Sequence, residues 1–162
     1  MTEDSKITLD RPAVVTIRGA RVSDLPALNE MVGLLAAHHG DTVTLTPERL
    51  ERDLFAPIPW IHALVAEAAG ELIGYTILVP MYRAQEGKRG MDVHHLYVRD
   101  GHRGHGTGQH LLNRARDVAR RCGCHFLSVN AATGNFAAHK FYENMDFTPR
   151  PITGMRYLQA IA

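Results

Sequence analysis

The sequence predicts a single α/β (α+β) domain on a mixed sheet, and three observations predict it. Strand-like and helix-like segments alternate along the chain, a hairpin occupies its middle, and a β-α-β unit brackets a glycine-rich stretch in its second half. The 162 residues suffice to bury a core without staples and are few enough for one domain. A hydrophobic fraction of 45% with 22% charged residues excludes disordered and collagen-like classes. No repeat, low-complexity tract or linker divides the chain.

Residues 1–12 are polar and read as a flexible N-terminal tail ahead of a domain at 13–162. "AVVTIR" (13–18) has the β-branched content of a strand. Ser23 offers an N-cap and Pro26 suits a first turn; Leu25, Leu28, Val32 and Leu35 then follow at helical spacing as far as Gly40. Thr46 and Pro47 start a shorter helix that turns Leu50 and Leu54 inward. "IHALVAEA" and "ELIGYTILVP" flank Ala69-Gly70 and predict an antiparallel hairpin, ended by the polar loop "YRAQEGKRG". "MDVHHLYV" (91–98) is a strand, and Leu111, Leu112, Ala115, Val118, Ala119 and Cys122 mark one face of the helix after the glycines. Gly123 stops that helix, and "HFLSVN" (125–130) is the next strand, parallel to 91–98 by the crossover rule. A helix over about 135–144 and a strand near "GMRYLQAI" complete the chain.

Eighteen Lys plus Arg against seventeen Asp plus Glu leave a formal charge of +1, so no global field recruits nucleic acid or an anionic membrane. The basic face "RARDVARR" reads as solvated surface. The N-terminus has no apolar h-region and no run approaches a membrane span, so a cytoplasmic protein is expected. Cys122 and Cys124, one residue apart, are poor disulfide partners and suit a reducing compartment.

Gly104, Gly106 and Gly108 fall between a strand end and a helix start, where bare backbone N–H groups and the helix dipole favour a phosphate or pyrophosphate. Arg103, His102 and His105 add local positive character. A P-loop would need Lys-Ser or Lys-Thr where Gln109-His110 stands, and a Rossmann fingerprint would come earlier in the chain. A tight turn without a ligand is the plain alternative. Among the ten histidines, His94, His95, His102 and His105 raise the question of a metal, but strand neighbours diverge and no Cys or carboxylate completes a set, so no metal is expected.

"RGHGTG" (103–108) resembles the R/Q-x-x-G-x-G/A signature of the GNAT superfamily of N-acetyltransferases, and "NFAAHKFYENMDF" (135–147) resembles its second motif, N-x-x-A-x-x-F-Y. The resemblance covers roughly residues 14–160 and looks closest to the diamine (spermidine/spermine and thialysine) branch, through residues 44–67 and the ungapped run from His94 to Tyr142. It implies a GNAT-type domain: a mostly antiparallel sheet whose parallel strands 4 and 5 splay apart, flanked by about four helices. It implies acetyl-CoA as acyl donor and no metal. The backbone of Leu96, Tyr97 and Val98 would pair with the pantetheine arm. The amides of Arg103, Gly104, His105, Gly106, Thr107 and Gly108 would hold the pyrophosphate. Asn135 would contact the pantetheine arm, and Tyr142 would protonate the departing thiolate. The acceptor would be a small-molecule amine, and the branch commonly pairs as a homodimer through C-terminal strands.

Two departures from the family pattern stand out. Where the branch usually carries adjacent acidic residues, this chain has His94 and His95. An imidazole, with an ordinary pKa of about 6.5, is a competent base at neutral pH, but it does not attract a polycation. His94 aligns with the family base, and strand alternation sends His95 to the other face unless a bulge intervenes. Asp92, Glu30 and Asp41 are the acids that could compensate. Asp146 replaces the family's turn glycine, and Asp tolerates the left-handed conformation such a turn needs. Two readings compete with a small-molecule acetyltransferase: a non-catalytic acyl-CoA-binding or regulatory module, and an enzyme acting on a protein or antibiotic amine.

Overall fold

Strands β1 (Val15–Gly19), β2 (His62–Ala68), β3 (Glu71–Arg83), β4 (Lys88–Val98) and β5 (Phe126–Val129) and helices α1 (Leu25–His39), α2 (Pro47–Phe55), α3 (Thr107–Arg121) and α4 (Phe136–Asn144) make up the regular structure of the computed structural model, which describes residues 13–161. The tail expected at 1–12 lies outside the described residues. The chain forms two compact units, Met1–Val129 and Asn130–Ala162.

In the first unit one sheet runs in the order β1-β2-β3-β4-β5. The first three pairings are antiparallel, and β4–β5 is parallel, with α3 as the crossover. The β2–β3 turn uses Ala69 and Gly70 with φ of 50° and 80°, the positive pair that matches strand twist. Leu25, Leu28, Met31, Val32 and Leu35 of α1 and Leu50 and Leu54 of α2 bury themselves in one cluster with Val65, Tyr75, Ile77 and Tyr97. Leu111, Leu112, Ala115 and Ala119 form the buried stripe of α3, which lies along β1 to β4.

Three local expectations change. Ser23 lies inside a 3-10 turn (Val22–Asp24), and Asp24 takes the N-cap position of α1. The Asp24 carboxylate is committed to Arg18 (2.6 and 3.0 Å) and to the Arg21 N–H (2.7 Å), while Arg18 also donates to Glu67 at 2.7 Å. The stretch 82–90 is not a loop: β3 and β4 continue through it, Tyr82 opposite Arg89 and Arg83 opposite Lys88, with only a 3-10 turn (Ala84–Glu86) and Gly87 between them. An antiparallel ribbon with both faces solvated accepts polar residues, so polarity did not distinguish ribbon from loop. At the base of this ribbon Gly90 pairs with Phe126, and a Cβ on Gly90 would come within 2.3 Å of the Phe126 ring. The Arg83 guanidinium lies 4.1 Å from that ring's centroid.

In the second unit Asn135 caps α4 by accepting from the Ala138 N–H at 3.1 Å. Asp146 adopts φ of 64°, as its turn requires. The strand expected near 154–161 does not form: residues 148–161 carry no regular structure, and Ile152, Met155, Tyr157, Leu158 and Ile161 are exposed. A strand needs a ladder partner for its N–H and C=O groups, and among the described residues this segment has none. No helix among the described residues is long and apolar enough to cross a membrane.

Candidate active site

The parallel ladder between β4 and β5 runs only from Gly90–Phe126 to Val93–Val129. Beyond Val93 the β4 edge that faced β5 has no ladder partner, while its other edge stays paired with β3 through Leu96, Tyr97 and Val98. This is the divergence expected of strands 4 and 5. It leaves backbone donors and acceptors of β4 free to pair with an extended ligand arm.

The divergence starts at a bulge. Ile77 pairs with His95 and Leu78 with Val93, so His94 is the extra residue of β4. The bulge cancels the alternation that would have separated the two histidines. Their rings stack at 4.7 Å with an interplanar angle of 11°, so both lie on one side. His94 is exposed and His95 half-buried. The Tyr75 hydroxyl lies 3.1 Å from His95 Nδ1, and Thr76 Oγ1 donates to the His95 carbonyl at 2.7 Å. Burial, then the neighbouring His94 and His39, lower the His95 pKa to about 4, so this ring is neutral at pH 7. Burial holds the Tyr75 hydroxyl well above the ordinary tyrosine range, with Tyr97 adding to it.

At the end of β4 the glycine stretch turns into α3. Gly101, Gly104 and Gly106 have φ of 82°, 79° and 84°, and Gly106 is the N-cap of α3 with no side-chain cap. Among the described residues the amides from Gly104 to Gln109 make no backbone hydrogen bond, and His110 N–H to Gly106 is the first of the helix. A Cβ at Gly104 would meet nothing within 4 Å; the left-handed backbone, not crowding by the protein, demands glycine there. Uncapped amides over an open surface fit a pyrophosphate. The Arg103 side chain turns back: Nε donates to the Val98 carbonyl at 2.8 Å, the guanidinium pairs with Asp100 at 3.1 Å and sits 5.7 Å from the Tyr97 ring centroid. It braces the loop against β4 through the Val98 carbonyl. Thr107 is buried in the first turn of α3.

In the second unit Tyr142 is half-buried on α4 with ring contacts to Phe141 and Phe147 at 5.3 and 5.7 Å. Burial raises its pKa, which keeps the phenol protonated at neutral pH. Asn135 Oδ1 accepts the α4 cap bond, and its side-chain NH₂ makes no hydrogen bond among the described residues.

Of the three acids that could restore negative charge, Asp41 is exposed, and the other two have side-chain partners. Glu30 is held by Arg99 at 2.9 and 3.2 Å, and Asp92 accepts from Ser128 Oγ at 2.6 Å. Sequence reasoning missed Tyr75: a tyrosine inside an apolar strand reads as core, and only the fold shows that its hydroxyl meets His95. Among the described residues no group of three or more His, Cys, Asp or Glu could hold a metal ion. Cys122 and Cys124 are free thiols, and burial raises the pKa of Cys124. A cavity of about 270 Å³ opens elsewhere, lined in part by Leu54, Ile61, His62, Arg114, Val118 and Arg121, and none of the predicted site residues borders it.

Comparison with known proteins agrees with this geometry. The L-methionine sulfoximine/L-methionine sulfone acetyltransferase of Pseudomonas aeruginosa is 34% identical over 137 residues, covering 82% of this chain and 79% of its own. The thialysine N-epsilon-acetyltransferase of Bos taurus is 30% identical over 141 residues, covering 81% and 82%. The crystal structure of a ribosomal-protein-alanine N-acetyltransferase from Brucella melitensis biovar Abortus superposes with a TM-score of 0.71 over 90% of this chain and 100% of that one, at 22% identity, which speaks for the fold alone. The profile of the acetyltransferase (GNAT) family matches residues 29–147, a span that reaches from α1 in the first unit through the β4 bulge and the glycine loop to α4 in the second. The chain belongs to the acetyltransferase (GNAT) family and is an N-acetyltransferase.

Proposed function

We propose that this enzyme transfers an acetyl group from acetyl-CoA directly to the primary amine of a small, weakly cationic, amino-acid-like molecule. The observation that carries the reading is the stacked His94–His95 pair on the β4 bulge, standing where the diamine branch has acidic residues. Arg99 neutralises Glu30 and two imidazoles replace the acidic pair, so a polyamine finds less negative charge here than in the diamine branch, whereas an amino acid presents one amine and one carboxylate. The relatives named for methionine sulfoximine and thialysine act on molecules of that class.

When bound, acetyl-CoA supplies the thioester. Leu96, Tyr97 and Val98 would align its arm along the open β4 edge, and the amides of Arg103 to Gly108 would take its pyrophosphate. His94 accepts the proton that the amine must lose to attack, and Tyr142 donates one to the thiolate as the C–S bond breaks and the N–C bond forms. Burial raises the Tyr142 pKa, so the phenol holds its proton at neutral pH until the thiolate departs. No base is needed beyond an exposed imidazole, and no metal enters.

We further propose that the protein is cytoplasmic, in keeping with its free thiols, and that it acts as a homodimer paired through residues 152–161. Five exposed apolar side chains in that short segment favour such pairing. Tyr142→Phe tests the catalytic reading: it is expected to lower kcat by about 10²-fold or more with little change in acetyl-CoA affinity measured by calorimetry. Unchanged turnover would remove Tyr142 from the mechanism, and an inactive wild-type protein that still binds acetyl-CoA would favour a regulatory module.

A further inference from the structure

The two histidines of the bulge differ in one respect that decides their chemistry. His95 Nδ1 faces the Tyr75 hydroxyl at 3.1 Å, and Tyr75 is fully buried. Among the described residues that hydroxyl has no other hydrogen-bond partner. If it accepted a proton from Nδ1–H, its own O–H would be left unsatisfied in the core, at a cost of about 1–3 kcal/mol. If it donates, both groups are satisfied. Thr76 Oγ1 fixes the His95 backbone through its carbonyl, and the His94 ring stacked on the His95 face keeps the imidazole from turning away.

His95 Nε2 has no protein partner, yet the only buried side-chain N or O lacking one among the described residues is Asn29 Oδ1. Nε2 therefore keeps access to solvent and is available to a ligand. We infer that Tyr75 is a positioning residue that locks His95 as the Nε2–H tautomer, making His95 a hydrogen-bond donor to an oxygen of the acceptor molecule and leaving His94 as the base. The lowered pKa of His95 keeps that donor uncharged at working pH. The oxygen it best serves is the carboxylate of an amino-acid-like acceptor. This assignment rests on the proposed acetyl transfer for its substrate, but not for the tautomer.

The test uses the full chain labelled with ¹⁵N-histidine. Long-range ¹H–¹⁵N spectra at pH 7, assigned with His95→Gln, are expected to show His95 Nδ1 unprotonated and Nε2 protonated. Nδ1 found protonated would overturn the proposal whatever the enzyme's activity. Tyr75→Phe removes only the hydroxyl and is expected to return His95 to a tautomer mixture. It should also lower kcat/KM for an amino acid by about five- to tenfold, largely through KM, while the same amino acid's decarboxylated amine is unaffected. Equal losses on both acceptors would overturn the donor role, and because the tautomer is read without turnover, failure of the acetyl-transfer reading would be seen separately.

Discussion

His94 owes its position to one extra residue in β4. The period-two rule predicts opposite faces for His94 and His95, and a single bulge between Ile77–His95 and Leu78–Val93 reverses it. The glycine loop, Tyr142 and both histidines could be picked out as candidates from the sequence because each belongs to a short local pattern, but the shared side of the histidines could not. Tyr75 was not among them, because its role comes from a partner twenty residues away that only strand register supplies. Replacing His94 by Ala is expected to reduce kcat/KM for the acceptor by about 10²-fold and to leave acetyl-CoA binding intact; steady-state kinetics with each substrate varied in turn checks both halves.

At the scale of elements, periodicity located the helices; one error was a cap placed one residue early at Ser23, and the others came where polarity is ambiguous. The β3–β4 ribbon is polar because both its faces are wet, and the C-terminal segment is apolar without a ladder to join. The ribbon's base depends on Gly90. Gly90→Ala would push a methyl into the Phe126 ring beneath Arg83 and is expected to destabilise the fold by about 1–3 kcal/mol, read by denaturant titration. The start of α1 depends on Asp24, a buried carboxylate bound to Arg18 and the Arg21 N–H. Asp24→Ala leaves those donors short of an acceptor and should cost a similar amount, about 1–3 kcal/mol.

Across the whole molecule these groups give stability a pH dependence with two stages. His95 is depressed to about 4 from an ordinary value of about 6.5. The unfolded chain therefore binds the extra proton first, and the His95 contribution is full above pH 6.5 and is lost as pH falls toward 4. The Asp24 carboxyl lies below its ordinary value, held there by Arg18, so its contribution is full above about pH 4 and is lost only as pH falls through that lowered value. Thermal unfolding should show a plateau above pH 6.5, a decline to pH 4 and a second decline below it. His95→Gln should flatten the first decline and leave the second.

Fold and cofactor loop were legible at this scale because two motifs lie at a fixed separation in a chain whose elements come in the family's order. The acceptor was not, because the reading proposed for it depends on the β4 bulge, which has no sequence signature. The most direct measurement is acetyl-CoA-dependent thiol release across amino acids such as methionine sulfoximine, thialysine, diamines, polyamines and aminoglycosides, with a no-amine control. Efficient turnover of the amino-acid-like acceptors, with polyamines weak, is the expected result. Preference for polyamines, or no turnover of any amine while acetyl-CoA still binds, would contradict the reading of His94 and His95 as the acceptor site of a weakly cationic amine.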